Sequence, residues 1–420
     1  MLLGIGLILD GHQGAEVRHR AVAYLVGILC AAPALTVRWF GARASLLWRR
    51  LSLSIGAVVV ASAGLEVTAR SLELRALAPP GFEAHAALGR VHLPNRGSID
   101  AWGFRNASVP ERADVVCLGD SQTYGENIRR ADAYPQQLAA RIGRPVYNMS
   151  LGGYGPLQME HLIDQALSLK PRLVVLGFYL GNDLADAHRF AALPHWASLR
   201  DPALSYEELT ELAPRDDVSG NLSLALIDGA IERSWVLQRL TYDLKLAIKS
   251  SDLLSRAYGR TGAPGPFDDG PLRTQFSAAY RLGALDLQRD EIRDGLRITE
   301  HALGEIARAC AERGTALALL IIPTKERLYH ELLVRRALPD SNGLERLGEA
   351  EAAATLRVEA VAQAAGIRVL DPTPALLAAL EDERALWPKG SDGHLNAAGC
   401  AVLAEVLATE FERVAIAAAR

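Results

Sequence analysis

Short apolar runs alternate with stretches of helix length through most of this chain. Five runs have the length of buried strands and are rich in β-branched residues: 114–119, 145–149, 172–179, 316–323 and 367–371. The stretches between them, such as YPQQLAARIG and ITEHALGEIARACAERG, repeat their apolar positions with the period of a helix. This alternation predicts an α/β fold with a parallel five-stranded sheet that is doubly wound, with helices on both faces.

One segment, residues 190–290, breaks the alternation. It contains scattered helical patterns, among them WVLQRLTYDLKLAIKSSDLLSRAYG, and a Gly/Pro-rich stretch, GRTGAPGPFDDGP. We interpret it as a largely helical insertion in a domain that spans residues 76–420, and a cap over the functional site is one role for it.

Two longer apolar stretches, residues 21–37 and 51–69, precede this domain. Each is close to the roughly 20 residues that cross a bilayer, and the segment between them carries four arginines, which are enriched in cytoplasmic loops. We therefore predict that residues 1–75 are a membrane anchor with one or two spans in a bacterial-type inner membrane. The rest of the chain is then extracytoplasmic (periplasmic). The alternatives are a pair of core helices or a signal peptide, which should begin near residue 1 and end in small residues.

Composition adds few constraints. The chain has 420 residues, 50% of them hydrophobic, which is enough for a large core. Its net charge of −4 does not indicate nucleic-acid binding. The cysteines are widely separated and form no metal or redox motif, so we predict no metal and no cofactor and read them as buried thiols: Cys30, Cys117, Cys310 and Cys400.

Candidate chemistry appears where the first three predicted strands end. Ser121 follows the first strand in GDSQT, Gly153 follows the second in NMSLGGYG, and Asn182 follows the third in LGND. Ligands of such sheets bind beyond the carboxyl ends of the strands. A serine hydroxyl becomes a nucleophile only beside a base, and the oxyanion that it forms needs hydrogen-bond donors. The N–H groups of Ser121 and Gly153 and the side-chain NH2 of Asn182 are candidate donors.

A candidate base lies near the C-terminus, in KGSDGHLNAAGC. Asp392 and His394 follow the fifth predicted strand and so belong to the same sheet edge. We expect His394 to accept the proton of Ser121, and Asp392 to orient the imidazole and stabilise its charged form.

Each of these residues also has a purely structural interpretation. Asp120, Ser121 and Asn182 are residue types that cap helices, and the glycines near 153 are suited to turns. His394 would then be an exposed loop residue. His188, His195 and His330 are expected to be surface or hydrogen-bonded core residues.

Taken in order, GDSQT, the glycine of NMSLGGYG, GND and DGHLN resemble the four sequence blocks of the SGNH/GDSL hydrolases, over roughly residues 100–415 without the insertion. The resemblance implies a flavodoxin-like sheet, Ser121 as nucleophile, Gly153 and Asn182 as oxyanion donors with Ser121, and His394 with Asp392 as base and partner. Many members place the aspartate three residues before the histidine, where this chain has Ser391. The Asp-x-His spacing is similar to the alginate O-acetyltransferase branch, as is LIIPTKERLYHE at 320–331.

These observations together predict a serine-dependent acyl-ester enzyme that forms an acyl-Ser121 intermediate. Resolution by water makes it an esterase or lipase-type hydrolase. Resolution by a sugar hydroxyl makes it an O-acetyltransferase of a cell-surface polysaccharide, so the expected substrates are acylated polysaccharides or lipids. The other possibilities are a non-catalytic glycan-binding member and, because SQTYGEN resembles the first loop of flavodoxins, a flavin-binding protein.

Overall fold

A computed structural model describes residues 81–207, 272–340 and 343–418. Every element named below belongs to one compact unit, which contains all the described residues except 95–97. The predicted anchor at 1–75, its spans at 21–37 and 51–69, and residues 208–271 of the predicted insertion lie outside the described residues. Among the helices of the three described ranges, none is both long enough and apolar enough to cross a membrane.

The central element is a sheet of five parallel strands, which confirms the predicted α/β architecture. The chain forms β1 (Phe82–His85), β2 (Gly89–His92), β3 (Val115–Gly119), β4 (Val146–Ser150), β5 (Leu173–Tyr179), β6 (Ala316–Ile322) and β7 (Arg368–Leu370). The sheet has the order β4-β3-β5-β6-β7. The direction of winding therefore reverses between β3 and β5, which is where the ligand crevice of such a fold opens.

Helices cover both faces of this sheet. They are α1 (Ser121–Tyr124), α2 (Tyr134–Ile142), α3 (Pro156–Ser168), α4 (Asp183–Phe190), α5 (Ala278–Leu285), α6 (Asp290–Glu312), α7 (Lys325–Arg335), α8 (Leu344–Ala364), α9 (Thr373–Glu381) and α10 (Ala397–Ala418). Two 3-10 helices, Arg130–Asp132 and Pro194–Leu199, complete the described elements.

Alternate residues of β3 enter two different cores, because successive side chains of a strand point to opposite faces. Val116 and Leu118 pack in the core that contains side chains of α3, α6 and α8. Val115 and Cys117 pack in the core that contains side chains of α2, α7, α9 and α10. Burial on both faces explains why the strands read as unbroken apolar runs. Of the cysteines, the three in the described ranges are buried free thiols, at 117, 310 and 400.

An antiparallel hairpin of β1 and β2 stands outside the main sheet, and the sequence analysis did not predict it. Its strands have only four residues each, which is too short for a clear alternation of apolar and polar positions. The hairpin matters for function because it carries Arg90, which contacts the turn after β4.

Candidate active site

Ser121 lies where β3 ends, and two glycines allow its turn to pack closely on the sheet. A Cβ on Gly119 would lie 2.1 Å from Thr123 Oγ1, and a Cβ on Gly177 of the neighbouring strand would lie 2.3 Å from the same atom and 2.6 Å from Tyr134 Oη. The two hydroxyls are themselves 3.0 Å apart. Any side chain at either glycine would push away the turn that begins with Ser121.

The structure brings Ser121, His394 and Asp392 together in one chain of hydrogen bonds. Ser121 Oγ lies 2.8 Å from His394 Nε2, and His394 Nδ1 lies 2.6 Å from Asp392 Oδ1. The same carboxylate oxygen accepts a bond from the backbone N–H of His394 at 3.0 Å. An aspartate two residues before the histidine therefore reaches the imidazole, and the departure from the three-residue spacing does not prevent this contact.

The loop that carries His394 is held on both sides by Gln122. The side-chain nitrogen of Gln122 (Nε2) donates to the carbonyl of Gly393 at 3.0 Å. Its side-chain oxygen (Oε1) accepts from the N–H of Leu395 at 3.2 Å. Asn127 donates to the second carboxylate oxygen of Asp392 at 2.6 Å. The residues around the serine thus position the histidine and the aspartate directly.

The side chain of a buried lysine also supports this loop. Lys325, the first residue of α7, donates to the carbonyls of Asp392 at 3.0 Å and Gly390 at 3.2 Å and to Thr274 Oγ1 at 3.2 Å. Burial lowers the pKa of this fully buried lysine to about 8. Lys325 belongs to the LIIPTKERLYHE segment, whose turn therefore supports the Asp392 loop.

Electrostatics favour the charged form of His394. Burial by itself lowers the pKa of His394, but the hydrogen bond and the charge of Asp392 raise it, as do the charges of Glu126 and Asp120, and the pKa lies above its ordinary value. Burial raises the pKa of Asp120, although the N–H of Gln122 opposes this. Asp120 also accepts from the N–H of Gln122 at 2.9 Å and so caps α1. The predicted capping role thus applies to Asp120, while Ser121 faces the imidazole.

The other predicted oxyanion donors lie at the same edge. A Cβ on Gly152 would lie 3.7 Å from Ser121 Cβ, so the turn that includes Gly153 runs beside the serine. Gly153 has a φ of 83°, a backbone conformation that favours glycine. The side chain of Asn182 accepts no hydrogen bond from a backbone N–H of α4 and therefore does not cap this helix. Its NH2 group instead donates one hydrogen to Asp186 Oδ2 at 2.7 Å.

Charged groups surround this turn. Asp186 is buried, which raises its pKa to about 7, and it pairs with Arg189 at 2.8 Å. Arg90 of the hairpin donates to the carbonyl of Gly152 at 2.8 Å. Burial lowers the pKa of Arg90, and the charge of Arg189 lowers it further. The backbone of the turn is therefore held by the hairpin on one side and faces α4 on the other.

The flavin alternative requires free hydroxyls in the loop after β3. Thr123 is fully buried, and its hydroxyl is bonded to Tyr134, while the Ser121 hydroxyl faces His394. Both hydroxyls are therefore bonded to other side chains, an arrangement that favours the serine enzyme over the flavin site. His188 is bonded to Asp294 at 2.8 Å, as expected for a hydrogen-bonded core residue.

Comparison with known proteins adds a family match over the C-terminal part of the chain. Residues 283–420, which include Asp392 and His394, match the family described as SGNH hydrolase-like domain, acetyltransferase AlgX. This match supports the resemblance to the SGNH/GDSL hydrolases seen in the sequence blocks, with a likeness to the AlgX branch. It also supports an enzyme that acts on esters, as a hydrolase or an acyltransferase.

Solved structures resemble this chain only distantly. A GDSL-like lipase from Bacteroides thetaiotaomicron VPI-5482 has 13% identity and a TM-score of 0.32, with 72% of this chain and 88% of that chain covered. A catalytic mutant of an acetylxylan esterase from Geobacillus stearothermophilus has 10% identity and a TM-score of 0.32, with 72% and 95% covered. These likenesses carry no further conclusion. No curated relative matches the sequence.

Several residues of the candidate site were missed by sequence reasoning because their contacts are distant along the chain. Gln122 and Asn127 reach a loop more than 260 positions away, and Arg90 arrives from a hairpin that has no sequence signature. Lys325 belongs to the segment 320–331, which was noted for its resemblance to the alginate O-acetyltransferase branch, but no role was predicted for the lysine. Asp186 is four residues from Asn182, and this helical spacing was its only available signal.

Proposed function

We propose that this protein is a serine-dependent acyl-ester hydrolase that works through an acyl-Ser121 intermediate. The observation that carries the proposal is the continuous chain from Ser121 Oγ through the imidazole of His394 to the carboxylate of Asp392. Nucleophile and base lie within hydrogen-bond reach, and a third group orients the base, which is the arrangement that activates a serine.

In the first half of the reaction, Ser121 Oγ attacks the acyl carbon while His394 Nε2 accepts its proton. The carbonyl oxygen becomes an oxyanion, which the N–H groups of Ser121 and Gly153 and the NH2 of Asn182 stabilise. The tetrahedral intermediate collapses, the bond to the leaving alcohol breaks, and His394 returns the proton to that alcohol. The products of this half are the free alcohol and acyl-Ser121.

In the second half, a water molecule attacks the acyl carbon and gives its proton to His394. The same donors stabilise the second oxyanion, and the bond between Ser121 Oγ and the acyl carbon then breaks. The proton returns from His394 to Ser121, and the carboxylic acid leaves. Asp392 stabilises the imidazolium in both halves without itself taking the proton.

An O-acetyltransferase of a cell-surface polysaccharide is the second candidate. The match of residues 283–420 to the AlgX acetyltransferase family supports it. The chemistry differs only in the group that resolves acyl-Ser121, because a sugar hydroxyl then takes the place of water.

We also propose that the enzyme acts outside the cytoplasmic membrane of a bacterial-type cell, anchored by one or both apolar stretches at 21–37 and 51–69. The support is their length and the arginines between them. Reporter fusions test this proposal: a periplasmic reporter fused at residue 420 should be active, and a cytoplasmic reporter at the same position should be silent. The reverse result would reject it.

The test of catalysis is the hydrolysis of p-nitrophenyl acetate by the full-length protein, with and without an oligosaccharide acceptor. Nitrophenol release and acceptor mass are followed together. We expect Ser121→Ala and His394→Ala each to abolish turnover and to leave the fold intact, as judged by circular dichroism. Near-wild-type activity in either folded variant would reject the proposed nucleophile and base.

The two candidate functions are distinguished by the acceptor. Nitrophenol release without an acceptor adduct supports the hydrolase. Ser121-dependent gain of acetyl mass on the oligosaccharide supports the transferase instead.

A further inference from the structure

A cavity of about 560 Å³ lies beside Asn182, within the described part of the chain. It is bounded by α4, by residues 205–207, by α5 and by the start of α6. We call it the Tyr280 cavity, after one of the two tyrosines that line it. Its volume falls in the range of small-molecule sites, roughly 300–1,000 Å³. Of the residues that line it, the reaction above uses only Asn182.

The charges that line the Tyr280 cavity are largely matched in pairs. Arg189 contacts Asp186 at 2.8 Å, and Arg289 lies 3.5 Å from Glu291. Glu207 adds a further carboxylate to the lining. Such a surface offers donors and acceptors without an excess of positive charge, so it suits a ligand with many hydroxyl groups better than an anion.

Tyr280 provides an exposed aromatic face in a lining that also contains Ala185, Ala279, Ala284 and Ile292. Its side chain is 68% exposed although it borders the cavity. An exposed ring combines a flat apolar face with a polar tip, and the C–H face of a sugar ring is complementary to such a surface. Aromatic stacking with paired polar groups around it is the chemistry that binds carbohydrate rather than an acyl chain.

Arg281, the residue after Tyr280, connects this cavity to the catalytic loop. Its guanidinium carbon lies 5.1 Å from the centre of the Tyr280 ring, and it donates to the carbonyl of Gly181 at 3.1 Å. A Cβ on Gly393 would lie 2.7 Å from the same guanidinium. Helix α5 therefore contacts both the residue before Asn182 and the residue before His394. Asn182 itself lines the cavity, so the cavity borders one of the proposed oxyanion donors.

We propose that the Tyr280 cavity is a subsite for a neutral sugar residue. The ring stacks on Tyr280, and the hydroxyls bond to the Asp186–Arg189 and Arg289–Glu291 pairs. The inference rests on the proposed function, because the bound sugar then carries the ester that Ser121 cleaves or the hydroxyl that accepts its acyl group.

The experiment measures binding without chemistry, by calorimetry on the full-length Ser121→Ala protein in a buffer free of sugar-based detergent. The neutral probes are xylohexaose, cellohexaose and mannohexaose, and hexagalacturonate is the acidic probe. We expect at least one neutral probe to bind more tightly than the acidic one. Adding Tyr280→Ala should weaken that binding about tenfold or more, as expected for the loss of a ring contact.

Two control variants complete the test. Tyr280→Phe keeps the ring and should retain the binding. Leu356→Ala removes an exposed apolar side chain of α8, 67% exposed and outside the cavity lining, and should leave the binding unchanged.

Absence of neutral binding at millimolar concentrations, tighter binding of hexagalacturonate, or binding that Tyr280→Ala does not weaken would each overturn the subsite. Failure of the proposed function is a separate observation, because it would appear as acetate-ester turnover that does not depend on Ser121.

Discussion

At the scale of single residues, the proton affinity of His394 sets the pH range of the proposed reaction. The base must be neutral to accept the proton of Ser121, and the pKa of His394 is raised above its ordinary value of 6.5, mainly by Asp392 acting against burial. Activity should therefore be lost as the pH falls through a value above 6.5. We expect Asp392→Asn to lower kcat by orders of magnitude and to move this acidic limb to lower pH, in a profile of kcat/KM against pH.

The matched control is Asp382→Asn, which removes an exposed carboxylate at the end of α9. Asp382→Asn should leave both kcat and the pH of the acidic limb unchanged. An acidic limb that stays at the same pH in Asp392→Asn would contradict the role given to Asp392.

Asn182 is the second residue whose role a single substitution tests. Its NH2 group is the one proposed oxyanion donor that belongs to a side chain, so Asn182→Ala should reduce kcat roughly 10²-fold or more. The midpoint of thermal unfolding should fall only slightly, because the variant loses the hydrogen bond from Asn182 to Asp186 but no hydrogen bond to the backbone of α4. An unchanged kcat for p-nitrophenyl acetate would remove Asn182 from the oxyanion site.

At the scale of elements, the packing of the Ser121 turn on β3 and β5 depends on glycine. A Cβ on Gly177 would lie 2.3 Å from Thr123 Oγ1 and 2.6 Å from Tyr134 Oη, both of which are buried. Gly177→Ala should therefore cost about 1–3 kcal/mol of unfolding free energy through overpacking. It should also lower kcat, because the turn that begins with Ser121 moves with Thr123.

Gly304→Ala in α6 is the matched control, because a Cβ there meets nothing within 4 Å. It should raise the unfolding free energy by about 0.5–1 kcal/mol through helix propensity and leave kcat unchanged. Urea denaturation measures both unfolding free energies. Equal values for the two variants would contradict the prediction, because they would mean that the residues around Gly177 move to accommodate the added methyl group.

The elements also show how far local patterns reach. All five strands of the main sheet lie within one or two residues of the predicted runs, because burial on both faces leaves a continuous apolar signal. The hairpin of β1 and β2 was missed, since strands of four residues carry too little pattern. The predicted insertion contributes α5, whose residues Tyr280 and Arg281 lie beside the site.

At the scale of the whole molecule, buried acids link stability to pH. Glu351 of α8 is fully buried and accepts hydrogen bonds from the N–H and the hydroxyl of Thr324, the residue that caps the N-terminus of α7. Burial raises its pKa from 4.5 to about 7. The folded state therefore holds a proton that the unfolded state releases, and the contribution of Glu351 to the unfolding free energy falls as the pH rises from about 4.5 to about 7.

Glu351→Gln removes the titrating carboxyl group. Its side-chain amide oxygen can still accept a hydrogen bond from Thr324. Relative to wild type, its unfolding free energy should increase by up to about 3 kcal/mol between pH 4.5 and pH 8. Urea denaturation at a series of pH values measures the difference. Glu349→Gln, exposed on the same helix, is the control and should show no such trend. A constant difference between Glu351→Gln and wild type would contradict the assignment.

The sequence by itself determined the five-stranded parallel architecture and the order of the four SGNH/GDSL blocks. Apolar runs, helical periods and short motifs are local features, so they can be recognised without knowledge of the fold. The residues proposed for catalysis were identified in the same way, because each follows a strand that ends at one edge of the sheet.

Tertiary structure decided which groups support those residues. Gln122, Asn127 and Lys325 reach the Asp392 loop from positions that are distant in sequence, and no periodic pattern records a contact of that range. The cavity beside Asn182 also exists only in the folded chain, because its lining comes from α4, α5, α6 and residues 205–207. Hydrophobic burial directs the course of the backbone and can be read locally, whereas the partners of a polar side chain depend on which loops the folded sheet brings together.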